Sequence, residues 1–171
     1  MRTDVMDMAP PFPSAVGVPS QQEPEFSERP RVGGKFLFVG ERKLWVRGVT
    51  YGTFAPGPDG DDYPADSQLE QDFAAMRGNA INALRCYTVP PRRLLDAAQR
   101  HGLRVMVGLP WEQHIAFLDE PGRADDIVNR VADGARTLAG HPALLCFAIG
   151  NEIPASIVRW HGRRRVERFL E

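Results

Sequence analysis

The clearest candidates for chemistry are Asn151 and Glu152, which directly follow an apolar run that ends at Gly150. A carboxylic acid beside apolar walls has its pKa raised and can act as a general acid, and a neighbouring amide can donate and accept hydrogen bonds. Cleavage of a glycosidic bond needs such an acid together with a second carboxylate. Alone, the dipeptide fits a helix cap with a solvated Glu better than a catalytic site, so its interpretation depends on the elements around it.

Polar and aromatic residues also follow three other apolar runs: Tyr51, then Arg85 with Tyr87, then Trp111 with Glu112 and His114. If the runs are parallel strands, their carboxyl ends meet at one rim. Tyr51, Trp111, Glu112 and His114 are then candidate sugar contacts, because an aromatic ring at a rim can stack on a sugar face. For Trp111, ordinary packing is as good an explanation as a sugar contact, and for Tyr51 it is the better one. For Arg85, the alternative is a structural ion pair.

The elements that would position these residues alternate along the chain. Runs at 36–39 and 44–46, with a turn between them, predict a β-hairpin whose second strand continues to residue 51. The remaining pattern predicts helices at 67–76, 91–100, 124–138 and from 154 onward, with strands at 80–87, 103–109 and 143–149. Nearly continuous apolar strands separated by helices are typical of a parallel sheet that is covered on both faces.

Two α/β architectures fit this pattern, an open doubly wound sheet and a closed (β/α)8 barrel. An open nucleotide-binding sheet usually has a glycine-rich phosphate turn after its first strand, but here that position reads Tyr51–Phe54 without such a motif. Four strand ends that supply polar residues favour the barrel. A full barrel takes about 250 residues, so we expect residues 35–171 to form the first half of a (β/α)8 TIM barrel, preceded by the hairpin, in a truncated protein or fragment.

Composition limits the remaining possibilities. The 171 residues carry a net charge of −1, which gives no general attraction to nucleic acid. No apolar run is long enough to span a membrane and no secretory signal is readable, so a cytoplasmic location is expected. Residues 1–34 are rich in proline and are predicted to be a disordered tail. Cys86 and Cys146 fit buried free thiols, and no metal or cofactor is predicted, since the acidic residues Asp59, Asp61 and Asp62 lack calcium-loop spacing.

The fourth unit resembles a known enzyme family. The segment 140–152, Gly-His-Pro-Ala through Ile-Gly-Asn-Glu, is similar to the fourth-strand signature of clan A glycoside hydrolases, notably the family 2 barrel. Segments 44–49, 72–85 and 94–105 resemble the first three units of that family in order and spacing. More narrowly, the chain resembles barrel modules that occur in bacterial proteins beside family 2 glycosyltransferases.

The resemblance implies specific roles. Glu152 matches the acid/base, Asn151 matches the amide that contacts the sugar 2-hydroxyl, and Arg85 matches an arginine that supports the nucleophile. The family's nucleophile is a Glu on the seventh strand, which lies beyond these four units, and Glu112 is not expected to replace it. We therefore expect a glycosidase or transglycosidase barrel for a β-linked glycan, inactive as this chain alone.

The alternative is a non-catalytic half-barrel that binds carbohydrate or assists a glycosyltransferase. In either case, carbohydrate is the expected ligand and a glycosyltransferase module the expected neighbour in a longer chain. Self-association through the open edges of the half-barrel is also expected, because unpaired strand edges recruit other strands.

Overall fold

The computed structural model describes residues 28–57 and 62–171, and its first element is a small antiparallel sheet. It contains β1 (Arg31–Gly33), β2 (Phe36–Val39) and β3 (Arg42–Lys43). The predicted hairpin is present, but its second strand is β3 and not 44–46. Val39 pairs with Arg42 across a two-residue turn, and Gly40 takes the positive φ of 55° that such tight turns require.

Strand β1 lies within the segment for which no regular structure was predicted. It pairs along its length with β2, in the register Val32 to Leu37. Regular structure therefore begins at Arg31, because three residues are enough to add an antiparallel strand beside the hairpin. Most of the predicted tail, residues 1–27, lies outside the described residues.

The second sheet consists of four parallel strands in the order β4-β5-β6-β7, which are Gly48–Thr50, Ala83–Cys86, Arg104–Leu109 and Leu144–Ile149. Successive strands are joined by α1 (Asp66–Gly78), α2 (Arg92–Arg100) and α3 (Arg123–Leu138), and α4 (Ala155–His161) and α5 (Arg163–Leu170) follow β7. The predicted alternation is confirmed. The helix predicted to run from Pro154 to the end is divided at Gly162, whose φ of 80° and ψ of 133° are not helical.

The two faces of the parallel sheet differ. Side chains alternate between the faces of a strand, so Leu84 and Cys86 of β5 are buried in the core under the helices. Thr50, Arg85, Met106 and Cys146 lie in one row on the opposite face. In a closed barrel this second face lines the interior. Here it is open, so Cys86 is buried as predicted but Cys146 is exposed.

Arg104 anchors the chain at the amino ends of the parallel strands. Its side chain is buried and donates hydrogen bonds to the carbonyl of Pro142 and, at 2.9 Å, to that of Glu28. Burial lowers the pKa of this guanidinium. The segment before β1 is therefore attached at the end of the sheet opposite to the candidate site.

Gly108 on β6 lies so close to β5 that a side chain cannot be accommodated. A Cβ atom at this position would overlap the backbone carbonyl of Tyr87 and approach that of Cys86 at 2.9 Å. We predict that Gly108→Ala lowers the free energy of unfolding by about 1–3 kcal/mol, the usual cost of overpacking a core. Urea unfolding followed by circular dichroism measures the change.

Gly78 provides the matched control, because it ends α1 and a Cβ there meets no atom within 4 Å. Gly78→Ala should leave stability unchanged or raise it by up to about 1 kcal/mol, since alanine favours helix. Equal effects of the two substitutions would contradict the close approach of β5 and β6.

Strands β4 and β7 each pair with one neighbour among the described residues, and Ile149 of β7 is 55% exposed. We expect the 171-residue chain to self-associate through these edges, which sedimentation equilibrium can measure. Ile149→Lys should weaken the association. Val128→Lys is the control, because Val128 is similarly exposed but lies on α3. A monomer at high concentration, or equal effects of the two substitutions, would contradict the expectation.

Candidate active site

Asn151 and Glu152 follow β7 through a glycine turn. Gly150 has a φ of 73°, and its N–H donates to the carbonyl of Leu109 at 2.9 Å, which holds the turn against the end of β6. From β5, Arg85 Nη2 donates to Asn151 Oδ1 at 2.9 Å. The structure therefore joins the predicted site residues of the second and fourth strands at the carboxyl end of the sheet, across β6.

Glu152 itself is exposed. Its carboxylate makes no hydrogen bond or ion pair within residues 28–57 and 62–171, and α4 begins three residues later. The apolar enclosure expected around this acid is therefore not supplied by the four described units. Its role as acid/base stays a prediction.

Arg85 is oriented by an amide and a ring. Besides the hydrogen bond to Asn151, its guanidinium carbon lies 4.5 Å from the centre of the Tyr87 ring. The buried Nε has no hydrogen-bond partner in the part of the chain that the structure describes. No carboxylate of that part pairs with Arg85, so the alternative of a structural ion pair finds no support there.

Tyr51 lies on the helix side of the sheet. Only 6% of its surface is exposed, its ring packs edge-on against Phe54 and Phe73, and its hydroxyl donates to Asp72 Oδ2 at 2.6 Å. Burial, reinforced by Asp72, raises the pKa of the phenol. These contacts show core packing, and a sugar contact by Tyr51 stays a prediction.

Trp111 supports the turn before Asn151. Its ring is 6% exposed and packs edge-on against Phe117 and Phe169, with ring centres 4.8 and 5.6 Å away. A Cβ atom on Gly150 would overlap the indole nitrogen, so only glycine fits beside this ring at position 150. This packing leaves little of the indole ring exposed, and the stacking of Trp111 on a sugar stays a prediction.

Glu112 and His114 are not brought to Asn151 and Glu152 by any described contact. Glu112 Oε2 accepts a hydrogen bond from Arg130 Nη2 on α3 at 2.5 Å, and this bond is the main cause of the lowered pKa of Glu112. His114 is exposed in the loop after β6. Their predicted substrate contacts would require the loop to present them differently.

A cavity of about 210 Å³ lies at the carboxyl ends of β4 and β5, and apart from Tyr51 its lining was not assigned a function from the sequence. The lining includes Tyr87, which is 41% exposed. The sequence assigned a site role to Arg85, two residues earlier, but none to Tyr87. The available signal was the presence of Tyr51, Phe54 and Tyr63 in a segment otherwise rich in Gly, Pro and Asp. Aromatic side chains in such a loop tend to pack against one another, and here they line the cavity.

Comparison with solved structures finds glycoside hydrolases. Bacteroides uniformis β-glucuronidase 2, covalently bound to cyclophellitol-6-carboxylate aziridine, is 20% identical with a TM-score of 0.62, over 84% of this chain and 17% of that one. Parabacteroides merdae β-glucuronidase with glycerol in its active site is 15% identical with a TM-score of 0.60, over 83% and 19%. The fold is a partial TIM barrel.

A third structure, Saccharomyces cerevisiae Gas2p in complex with laminaripentaose, is 18% identical with a TM-score of 0.53, over 72% of this chain and 30% of that one. The partial barrel thus spans less than a third of each of these enzymes. No protein-family description matches the chain, and no curated protein does. The likeness at these identities establishes the fold, and the reaction has to be argued from the site.

Two features are absent from residues 28–57 and 62–171. No three His, Cys, Asp or Glu side chains converge there in a way that could hold a metal ion. Among the helices of the same residues, none has the length and apolar character needed to cross a membrane.

The Glu112–Arg130 pair makes a prediction about pH. Because the hydrogen bond from Arg130 lowers the pKa of Glu112, the pair stabilises the folded chain above the ordinary pKa of Glu, and this contribution is lost as pH falls through the lowered value. Both side chains are partly exposed, so the effect on stability is small. NMR titration of the Glu112 carboxyl carbon should show the lowered pKa, and Arg130→Ala should raise it.

Arg136→Ala is the control, because Arg136 is also on α3 but pairs with Asp133. That substitution should leave the titration of Glu112 unchanged. A Glu112 that titrates at its ordinary pKa in the unsubstituted chain would show that the carboxylate is free of Arg130 and available to the rim.

Proposed function

We propose that the chain forms part of a glycoside hydrolase or transglycosidase barrel that acts on O-glycosidic bonds of a β-linked glycan, with Glu152 as the general acid/base. One observation carries the proposal. The hydrogen bond from Arg85 to Asn151 fixes the Asn151–Glu152 turn beside the open face of a partial barrel, and the solved structures of similar fold are glycoside hydrolases.

The orientation of Asn151 follows from this hydrogen bond. Since its Oδ1 accepts from Arg85, its Nδ2 is left to donate, and the resemblance to family 2 makes the sugar 2-hydroxyl the acceptor. The adjacent Glu152 first protonates the leaving oxygen and then, as a carboxylate, removes a proton from the attacking water or sugar hydroxyl. Asn151 thus holds the sugar while Glu152 transfers protons.

The nucleophile has to come from outside the four described units. Retaining glycosidases hold their two carboxyl groups about 5–5.5 Å apart, and Glu112 is held by Arg130 beside α3. In the resembling family the nucleophile belongs to the seventh strand. The buried Nε of Arg85, which lacks a partner among the described residues, is a donor that an incoming carboxylate could use.

A second candidate function is favoured by the exposure of Glu152, which makes no hydrogen bond or ion pair in the described part of the chain. A half-barrel of this kind would bind a glycan without cleaving it, or assist a glycosyltransferase in the same longer protein. The two functions share the rim and differ in whether further strands supply a second carboxylate.

Aryl β-glycosides test the proposal. The 171-residue chain should show no turnover, because removing one of two cooperating catalytic groups eliminates most of the rate. A longer product of the same reading frame that supplies a second carboxylate at this rim should be active, and Glu152→Gln should abolish that activity. Asp133→Asn on α3 is the control, because Asp133 pairs with Arg136 and is not a predicted site residue, and it should leave the activity nearly unchanged.

Three outcomes are informative. Turnover by the 171-residue chain that Glu152→Gln abolishes would show that the nucleophile lies within it. Activity of a longer product that survives Glu152→Gln would refute the acid/base assignment. Glycan binding without turnover in every form would favour the non-catalytic half-barrel.

A further inference from the structure

The cavity beside the candidate active site has the size of a binding site for one sugar ring. Its volume of about 210 Å³ is below the roughly 300–1,000 Å³ of sites for drug-sized ligands. It opens at the carboxyl ends of β4 and β5, the same end of the sheet as Asn151 and Glu152. The side chains that matter here are those of Thr53, Phe54, Asp62, Tyr63, Tyr87 and Thr88.

One wall of the cavity is held in place before any ligand arrives. The Tyr63 ring is 9% exposed, and its hydroxyl is bonded to the Thr88 backbone carbonyl at 3.1 Å and to the Thr88 hydroxyl at 2.9 Å. Phe54 packs against Tyr63 and, edge-on, against the buried Tyr51. A wall fixed in this way loses little conformational entropy when a ligand binds.

Tyr87 connects the cavity to the candidate active site. Its ring lines the cavity, is 41% exposed, and carries the guanidinium of Arg85 at 4.5 Å from its centre. The same Arg85 bonds Asn151. The exposed surface of the Tyr87 ring suits the apolar face of a pyranose. Arg85 contacts both this ring and Asn151, and so links the cavity to the candidate active site.

The polar groups of the cavity favour a neutral sugar. The Thr53 hydroxyl and the Asp62 carboxylate are exposed, and no described residue is bonded to either, so both are available to sugar hydroxyls. A carboxylate at the cavity repels a second one. None of the described residues that line the cavity is cationic, and Arg85, which lies over the Tyr87 ring, is bonded to Asn151 and is not part of the lining. A uronic acid would therefore be bound less well than its neutral counterpart.

We propose that this cavity binds one neutral pyranose ring of a β-linked glycan, with the ring stacked on Tyr87 and its hydroxyls bonded to Asp62 and Thr53. This rests on the proposed function in that the bound ring belongs to the glycan whose linkage Glu152 would cleave. The binding itself requires neither the nucleophile nor Glu152, so it can be measured on the 171-residue chain.

Three neutral probes, the methyl β-D-pyranosides of glucose, galactose and mannose, are titrated into the chain, with methyl β-D-glucopyranosiduronate as the charged counterpart. Amide and side-chain NMR signals locate the site. At least one neutral probe should shift the signals of Thr53, Phe54, Tyr87 and Thr88, and the uronate should bind about tenfold more weakly than the neutral glucoside.

Substitutions separate the contributions. Tyr87→Ala should weaken binding of the neutral probe about tenfold, whereas Tyr87→Phe, which keeps the ring, should bind within about twofold of the original chain. Asp62→Asn should remove the discrimination against the uronate. Glu152→Gln should leave probe binding unchanged.

The proposal is overturned if none of the neutral probes binds, if the shifts map to Trp111 and not to Tyr87, or if Tyr87→Ala binds like the original chain. It is also overturned if the uronate binds more tightly than the neutral glucoside. These results are separate from the catalytic test. Probe binding that depends on Tyr87, in a protein without turnover, supports the sugar-binding cavity but not the proposed enzyme activity. Activity that depends on Glu152 but not on Tyr87 supports the enzyme activity but not the cavity.

Discussion

The parallel pairing of β5, β6 and β7 is the constraint on which the candidate site depends. It aligns Arg85 with Met106 and Met106 with Cys146, and it brings Arg85 within hydrogen-bonding distance of Asn151, 66 positions later in the chain. Because side chains alternate along a strand, a slip of one residue would send Arg85 into the core and Cys86 into the open. The thiol of Cys86, whose pKa is raised to about 12 by burial, belongs to the apolar side that fixes this register.

The sequence predicted the alternation of strands and helices well, because apolar runs and helical spacing are determined by burial over six or more residues. It was less successful where one residue decides the outcome. Gly162 divides the last helix. The hairpin turn has two residues and not the four predicted, so its second strand begins two residues earlier and β3 is the charged pair Arg42–Lys43. Neither event changes the apolar pattern, and each follows from the freedom of glycine to adopt positive φ.

The candidate site was predictable only as far as the strands extend. Arg85 lies inside β5, so strand alternation determines its direction and the structure places it beside Asn151. Trp111 and Glu112 lie beyond the end of β6, where alternation no longer applies. Their directions are set by neighbours distant in sequence, Phe169 of α5 for the indole and Arg130 of α3 for the carboxylate. No local pattern could have indicated these partners.

The open face of the sheet also carries a natural chemical reporter. Cys146 is exposed in the middle of β7, in the row that contains Arg85 and Met106, and the thiol reacts only when a reagent can reach it. Any polypeptide that covered this face, from the same chain or from another copy, would have to cover that sulfur atom as well. The rate at which Cys146 is alkylated therefore indicates whether the half-barrel stands open or has been closed.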